Sequence, residues 1–235
     1  MATEIQSKLL PEKLPHVPKI GFGAISIPAR QIGGDYYDVV SYGENRFKVA
    51  LGDVSGKGIS AAMLMANFQA TIRTLFKYQR FEMSFLMEEL NKLVMKSAKG
   101  EKFITFFITH YDATTRKMNY VNAGHNHPFL TNGTTVIDLD QGTIGLGMLE
   151  ELPFINVGET QLSPNTTMVL YTDGVVELEN EAEEFFGTER LVKLVHNYYP
   201  LKMDDMNNLI FSKLDEWKGP LDLVDDTAIF SCRFF

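Results

Sequence analysis

Apolar and polar positions follow two different spacings along the chain, and the spacing separates predicted strands from predicted helices. Alternation of apolar with small or polar residues indicates strands, and the apolar run TTMVLYTDG is typical of a buried strand. Turn residues at 112–116 and the pair Asn132–Gly133 divide two further segments into hairpins. These patterns predict strands at residues 19–27, 46–53, 166–174 and 227–235 and hairpins at 102–124 and 128–139.

Apolar residues that recur every three or four positions predict the helices. The longest candidate, residues 59–78, contains neither glycine nor proline and begins with a stretch rich in Ala and Met. Near the N-terminus, Ile5 and Leu9 have helical spacing, but the three prolines of residues 11–18 prevent the helix from continuing. We therefore expect a short helix followed by an extended arm. Further helices are predicted at 83–98, 187–199 and 203–217, and a glycine-rich loop at 141–154.

The order of these elements predicts an α+β fold. Strands occur in hairpins rather than in strict βαβ alternation, which favours antiparallel sheets with helices packed outside them. The chain contains no repeat, no low-complexity tract and no mid-chain linker. We therefore predict one domain over residues 19–235, preceded by the N-terminal helix and arm of residues 1–18.

Composition and charge narrow the possible functions. The 235 residues carry a net charge of −8, which argues against an extended surface for nucleic acid or an anionic membrane. The single cysteine, Cys232, allows no internal disulfide and fits a reducing compartment. No apolar run approaches a membrane span and no secretory signal opens the chain. A cytoplasmic domain is the expectation.

Aspartates next to glycines or tight turns follow or precede several predicted strands. Hard divalent cations such as Mg²⁺ and Mn²⁺ prefer carboxylate and carbonyl oxygens, and a pair of such ions can activate water and hold a phosphate. Taken singly, an Asp before a Gly is more often a turn former than a ligand. Together they make a metal site the preferred hypothesis, although spacing alone does not show that they converge. The candidates are Asp35, Asp38, Asp53, Asp173, Asp225 and Asp226.

Other catalytic patterns fit less well. The segment GDVSGKG lacks the glycine spacing of a phosphate-binding P-loop and has Gly58 where Ser or Thr should follow Lys57. His125 and His127 form a possible transition-metal pair without a nearby Cys or His set, so hydrogen bonding within the loop is the better interpretation of His125. Cys232 lies in a terminal strand with no obvious activating neighbour.

The same residues carry a family resemblance. The ordered motifs PARQIGGDYYD, GDVSGKGISAAMLMA, FITFFI…YVNAGHNHP, LYTDGVVE, FGTERL and DDTAIF resemble the SpoIIE/RsbU-type bacterial branch of the PPM metal-dependent serine/threonine phosphatases. The resemblance covers residues 9–234, nearly the whole chain. It implies two stacked antiparallel sheets flanked by helices, an α-β-β-α sandwich, with the metals at one end.

The resemblance also implies roles for the aspartates. Asp53 matches the aspartate that bridges two Mn²⁺ or Mg²⁺ ions, and Val54 would offer its backbone carbonyl. Asp173 and Asp225 match the remaining principal ligands, and Asp35 matches an acid near the metals. Asp38 and Asp226 match supporting residues, and the alternative role of Asp38 is to fix its turn. Arg30 and Lys57 are interpreted as surface charges rather than as phosphate ligands.

The implied activity is hydrolysis of phosphoserine or phosphothreonine on a regulatory protein through attack of a metal-activated water. The implied substrate is a phosphorylated STAS-domain antagonist of an anti-sigma factor. An upstream sensor or activator is expected at the N-terminal helix and residues 58–78, where a homodimer could tune metal occupancy. The alternatives are a catalytically silent module with the same fold and a hydrolase of small phosphate esters or nucleotides.

Overall fold

The structure is a computed structural model that describes Gln6 and residues 9–11, 13–42, 45–76 and 82–235. Within these residues the chain forms eleven strands and five helices. The strands are β1 (Ile20–Ile27), β2 (Tyr36–Ser41), β3 (Arg46–Val54), β4 (Ile104–Asp112), β5 (Lys117–Ala123), β6 (Phe129–Thr131), β7 (Val136–Asp138), β8 (Gly142–Thr143), β9 (Gly158–Gln161), β10 (Thr166–Tyr171) and β11 (Thr227–Phe234). The helices are α1 (Ile59–Phe76), α2 (Met83–Ala98), α3 (Asp173–Val176), α4 (Thr188–Asn197) and α5 (Met203–Lys218).

The chain divides into two compact units, which are described separately. Unit 1 contains Arg30–His127 and Leu139–Leu162 with the described part of Met1–Pro15, and unit 2 contains His16–Ala29, Pro128–Asp138 and Ser163–Phe235.

Unit 1 is a sheet with two helices packed on it. The strand order is β2-β3-β4-β5-β8, with β9 also paired to β5, and every pair is antiparallel except the short β5–β8 pair. Helix α1 buries Met65, Phe68 and Ile72, which recur at helical spacing. The Phe68 ring makes edge-to-face contacts with the rings of Tyr36 in β2 and Phe106 in β4. These contacts lock the start of the β2–β3 hairpin to the helix.

Unit 2 is a second antiparallel sheet covered by α3, α4 and α5. Its strand order is β1-β11-β10-β6-β7. The central strands β10 and β11 are buried along their whole length, while α4 and α5 bury apolar residues such as Leu191, Met206 and Ile210 in the same core. A Cβ at Gly23 would lie 2.6 Å from the Met203 backbone. Glycine at this position lets the N-terminus of α5 approach β1.

Most of the predicted elements are confirmed. The α+β class, both hairpins, the predicted strands and the four helices that begin near residues 59, 83, 187 and 203 are all present, although α1 is described only to Phe76. The sheets are not wholly antiparallel, because β8 pairs parallel with β5 inside the segment predicted as a loop. The patterns missed β2, β8, β9 and the single-turn helix α3.

Two predictions concern the N-terminal region and the domain boundary. The predicted N-terminal helix depends on Ile5, which lies outside the described residues. The boundary between residues 1–18 and 19–235 stays a prediction. In the described part of the chain, no helix is long and apolar enough to cross a membrane.

Candidate active site

The β2–β3 hairpin of unit 1 positions Asp35 and Asp53. Tyr36 pairs with Gly52, so continuing the antiparallel register by one residue places Asp35 opposite Asp53. Residues opposite each other on such a ladder have neighbouring side chains, and two like charges there destabilise the pair. Asp35 is buried and Asp53 is half-buried. A cation bound by both carboxylates would remove this repulsion.

Gly34 brings the backbone of this hairpin close to both candidate ligands. A Cβ at position 34 would lie 2.9 Å from the Val54 carbonyl oxygen and 3.4 Å from Asp53 Oδ1. The absence of a side chain therefore leaves room beside a carboxylate and a carbonyl, two oxygen types that hard cations prefer. Sequence reasoning identified Asp53 and Val54 but gave Gly34 no role.

Asp38 belongs to a different network on the same hairpin. Arg73 Nε of α1 lies 2.7 Å from Asp38 Oδ2, the Tyr36 hydroxyl donates to Oδ2 at 3.1 Å, and the Val39 amide donates to Oδ1 at 2.9 Å. The hydrogen bond to Asp38 raises the pKa of Arg73. Burial, together with the Asp38 charge, raises the pKa of Tyr36 well above its usual value. These bonds support the interpretation of Asp38 as a residue that fixes the turn.

We call the described residues Gln6 and 9–11 the N-terminal arm, and this arm contacts the loop that carries Asp35. The Gln6 side-chain amide donates to the Gly33 carbonyl at 2.5 Å and accepts from the Gly33 amide at 2.9 Å. The Leu9 carbonyl accepts hydrogen bonds from Gln69 and Arg73 of α1. The arm thus joins the Asp35 loop to α1. No local pattern could have revealed these contacts, because they link residues far apart in the chain.

In unit 2, Asp173 is the first residue of α3 and is separated from the end of β10 by Thr172 alone. Its neighbour Thr172 is tied to the start of β11, since the Thr172 amide donates to Ala228 and the Ala228 amide donates to the Thr172 hydroxyl at 2.9 Å. A Cβ at Gly174 would lie 2.2 Å from the Asp226 carbonyl oxygen. The glycine after Asp173 is therefore required by the close approach of two backbone segments.

Asp225 and Asp226 lie just before β11 and against the same turn. The Thr227 hydroxyl bonds the carbonyls of both Asp225 and Gly174, at 3.1 and 3.3 Å. Asp225 Oδ1 accepts from the Asp226 amide at 2.9 Å, and Asp226 Oδ1 accepts from the Ala29 amide at 2.8 Å. The Asp226 carboxylate thus binds the backbone that follows β1. This contact agrees with the predicted role of Asp226 as a support for Asp225. Asp173 and Asp225 lie at the same end of the unit 2 sheet.

The donor chemistry of these residues fits a hard divalent cation, because each unit offers carboxylates at a strand end beside glycine and backbone carbonyls. Among the residues that the structure describes, no three His, Cys, Asp or Glu side chains lie close enough together to hold a metal ion. Unit 1 by itself supplies Asp35 and Asp53, and unit 2 by itself supplies Asp173 and Asp225. The assignment of a complete ligand set therefore remains a prediction.

His125 of the AGHNHP segment has a structural role, which its hydrogen bonds show. His125 is buried, its amide donates to Asn122 Oδ1 at 2.7 Å, and its Nδ1 lies 2.9 Å from the Thr105 hydroxyl. These bonds confirm the predicted loop-stabilising role. Thr105 pairs with Asp53 across the β3–β4 ladder, so this loop also supports the strand that carries Asp53. His127 and Arg30 are exposed.

Comparison with known proteins identifies the class. Residues 43–235 match the family described as Stage II sporulation protein E (SpoIIE). The chain is 30% identical over 235 residues to the phosphoserine phosphatase RsbU of Bacillus subtilis, covering 99% of this chain and 69% of that protein. The fold and these matches define a PPM-type phosphatase. The chain belongs to the SpoIIE family.

Solved structures of low identity show the same fold. The SiaA-PP2C domain of Pseudomonas aeruginosa has a TM-score of 0.88 at 19% identity and covers 100% of this chain and 94% of that one. A structure of RsbX in complex with magnesium has a TM-score of 0.71 at 12% identity, covering 95% of this chain and 99% of that one. These likenesses confirm the PPM-like fold class predicted from the motifs.

Proposed function

We propose that the chain is a metal-dependent protein phosphatase that hydrolyses phosphoserine or phosphothreonine on a regulatory protein. The observation that carries the proposal is the match of nearly the whole chain to a phosphoserine phosphatase, combined with carboxylates at the strand ends of both units. The buried Cys232 is unsuited to nucleophilic attack, because burial raises the pKa of its thiol well above the usual value. Direct attack by water needs no such nucleophile.

In this proposal oxygen atoms of Asp35, Asp53, the Val54 carbonyl, Asp173 and Asp225 are the ligands of two Mn²⁺ or Mg²⁺ ions. When bound, the ions would supply an activated water and neutralise negative charge on the phosphate.

The chain's own residues hold these ligands in place. Gly34 and Gly174 leave space for close backbone approach, and Thr172 and Thr227 fix the end of β10 against the start of β11. Asp38 and Asp226 act as supports by engaging Arg73 and the Ala29 amide.

The proposed substrate is a phosphorylated STAS-type antagonist of an anti-sigma factor, by analogy with the family. The proposed site for an upstream sensor, an activator or a second copy of the chain is the N-terminal arm together with α1. Support for an activator at the arm comes from the hydrogen bonds of Gln6 to Gly33 and of Arg73 to Leu9. A cytoplasmic location is proposed because the single cysteine fits a reducing compartment.

Phosphate release tests the proposal directly. The full chain would be assayed on p-nitrophenyl phosphate and on a phosphoserine peptide, with Mn²⁺, Mg²⁺ or a chelator, beside Asp53→Asn. Release that needs metal and that falls by about 10²–10³-fold in Asp53→Asn is expected, because that substitution removes one preorganised charge with little change in shape. Metal-independent release, or an active Asp53→Asn, would contradict the assignment. No release under any condition would favour the silent module.

A further inference from the structure

An open groove in unit 2 is lined at one part by Asp225, and most of its other lining residues have no part in the proposed chemistry. Its cavity volume is about 490 Å³, within the range of ligand-binding clefts. Gly174 and Asp225 line one part of it. The groove therefore begins at two residues of the candidate active site and leads away from them.

Apolar side chains from two separate segments line this groove and are exposed to solvent. Phe185 is 55% exposed, Val224 is 71% exposed and Leu221 is 39% exposed. Single exposed apolar residues are ordinary, but several that line one cleft indicate a surface that binds something. We call this surface, defined by Phe185, Leu221 and Val224, the Phe185 groove.

The segment that presents Phe185 is ordered. A hairpin-like bridge pairs Glu179 with Phe185, and Asn180 Oδ1 accepts hydrogen bonds from the amides of Ala182 and Glu184 at 2.9 and 3.0 Å. Next to Phe185, the Phe186 ring is buried and contacts the Trp217 ring edge-to-face. Phe185 is consequently held outward by its backbone rather than exposed by fraying.

The rim of the Phe185 groove is acidic. Glu177, Glu179 and Asp222 line it and are exposed, and within the described residues no cationic side chain lines it. An occupant with matching chemistry carries Arg or Lys beside an apolar side chain. Charge complementarity of this kind contributes to specificity and to the rate of association.

We propose that the Phe185 groove binds the residues that flank the phosphoserine of the protein substrate, and that it selects an apolar side chain with a neighbouring Arg or Lys. This inference rests on the proposed function. The position of the groove also supports the inference. When the phosphoserine of a peptide lies at Asp225, the next four residues span roughly 13 Å in an extended conformation. Such a stretch enters the groove that starts at Asp225.

Two phosphoserine peptides and one small ester test the proposal with the full chain in Mn²⁺. The first peptide has Arg and Leu within four residues of the phosphoserine, in versions with the pair before or after it, and the second has Ser at both positions. For one of the two arrangements, kcat/KM is expected to exceed that of the Ser peptide by about tenfold, the effect of one well-buried anchor. p-Nitrophenyl phosphate, which has no flanking residues, measures the chemistry alone.

Two variants separate docking from folding. Phe185→Ser is expected to remove most of the preference for the Arg–Leu peptide while hydrolysis of p-nitrophenyl phosphate is unchanged. Glu179→Lys is expected to shift the preference towards a Glu–Leu peptide, a gain that an unfolded protein could not show. Raising the salt concentration should weaken the charge-dependent part of both preferences.

The outcomes are distinguishable. Equal kcat/KM for all peptides, together with normal hydrolysis of p-nitrophenyl phosphate, would overturn the groove proposal and leave the phosphatase intact. An equal loss on peptide and ester in Phe185→Ser would assign the groove to small phosphate esters instead and also overturn it. Absence of hydrolysis of every substrate by the wild-type chain would remove the proposed function and this inference together.

Discussion

Asp35 and Asp53 in unit 1 are held by a different kind of scaffold from Asp173 and Asp225 in unit 2. In unit 1 the hairpin is backed by long side chains from other elements, namely Arg73 of α1 and Gln6 of the arm. In unit 2 the support comes from backbone groups and short threonine side chains at the ends of β10 and β11. The first scaffold depends on elements outside the sheet, and the second is part of the sheet itself.

This difference indicates in which unit the protein tolerates substitutions near the aspartates. Backbone and threonine contacts in a buried sheet have few ways to relax, because interiors are close-packed. Long side chains that reach from a helix or an arm can be lost or rearranged with smaller consequences for the fold. We therefore expect substitutions around Asp173 and Asp225 to have an all-or-none effect on folding and activity. Substitutions around Asp35 and Asp53 should instead lower metal affinity or stability by degrees.

The largest effect is expected for Gly174→Ala. Its Cβ would lie 2.2 Å from the Asp226 carbonyl oxygen and 3.0 Å from the Thr227 hydroxyl, and the backbone there cannot shift without breaking the β10–β11 junction. We expect a destabilisation of about 3 kcal/mol or more with loss of phosphate release. Urea denaturation measures it, and Gly21→Ala, whose Cβ would make an ordinary contact at 3.5 Å, is the matched control. A stable and active Gly174→Ala would contradict the all-or-none expectation.

Gly34→Ala should have the next largest effect, and mainly on metal binding. The added Cβ would lie 2.9 Å from the Val54 carbonyl oxygen and 3.4 Å from Asp53 Oδ1, so it displaces two proposed ligands more than it disturbs the core. We expect Mn²⁺ affinity to fall about 10–100-fold. The Mn²⁺ dependence of phosphate release measures this. Unchanged Mn²⁺ dependence would show that this backbone does not face the metals.

Arg73→Met should affect stability more than chemistry. The Asp38 side chain is only 3% exposed, whereas that of Arg73 is 44% exposed, so the substitution leaves a buried carboxylate without its cation. We expect a loss of about 1–3 kcal/mol. Denaturation of Arg73→Met, Asp38→Asn and the double variant would measure the coupling, which should be favourable. If the stability losses of the two single variants add up to that of the double variant, the interaction between Arg73 and Asp38 does not stabilise the fold.

Gln6→Leu should have the smallest effect. It removes both hydrogen bonds to Gly33, which together are worth about 1–3 kcal/mol at most. We expect a few-fold increase in the Mn²⁺ concentration that gives half-maximal activity, and a melting temperature lower by a few degrees. Gln6→Glu, which keeps the acceptor and loses the donor, should lie between wild type and Gln6→Leu. Identical Mn²⁺ curves would show that the arm does not influence the Asp35 loop.

The sequence predicted the regular elements well because their patterns are local. Alternation over residues 46–53 identified β3, and helical spacing identified α1. It missed β9, which is polar, and β8, whose parallel pairing with β5 depends on a register that no local pattern contains. Helix α3 is a single turn and too short for periodicity to reveal.

The candidate site was predictable in part for a similar reason. An aspartate at a strand end beside glycine has a local signature, so Asp53 and Asp173 were identified from their neighbours. The partners that hold them were not, because Gln6 contacts Gly33 across 27 positions and Arg73 contacts Asp38 across 35. The motif resemblance assigned ligands, but only the folded chain reveals what supports each of them.

Calorimetric titration of Mn²⁺ tests the central claim that Asp53 and Asp173 are metal ligands. The wild-type chain would be compared with Asp53→Asn, Asp173→Asn and, as a control, Asp204→Asn, which removes an exposed carboxylate of α5. We expect the wild type and the control to bind two ions and each site variant to lose at least about tenfold in affinity. Binding that is unchanged in either Asp53→Asn or Asp173→Asn would contradict the account.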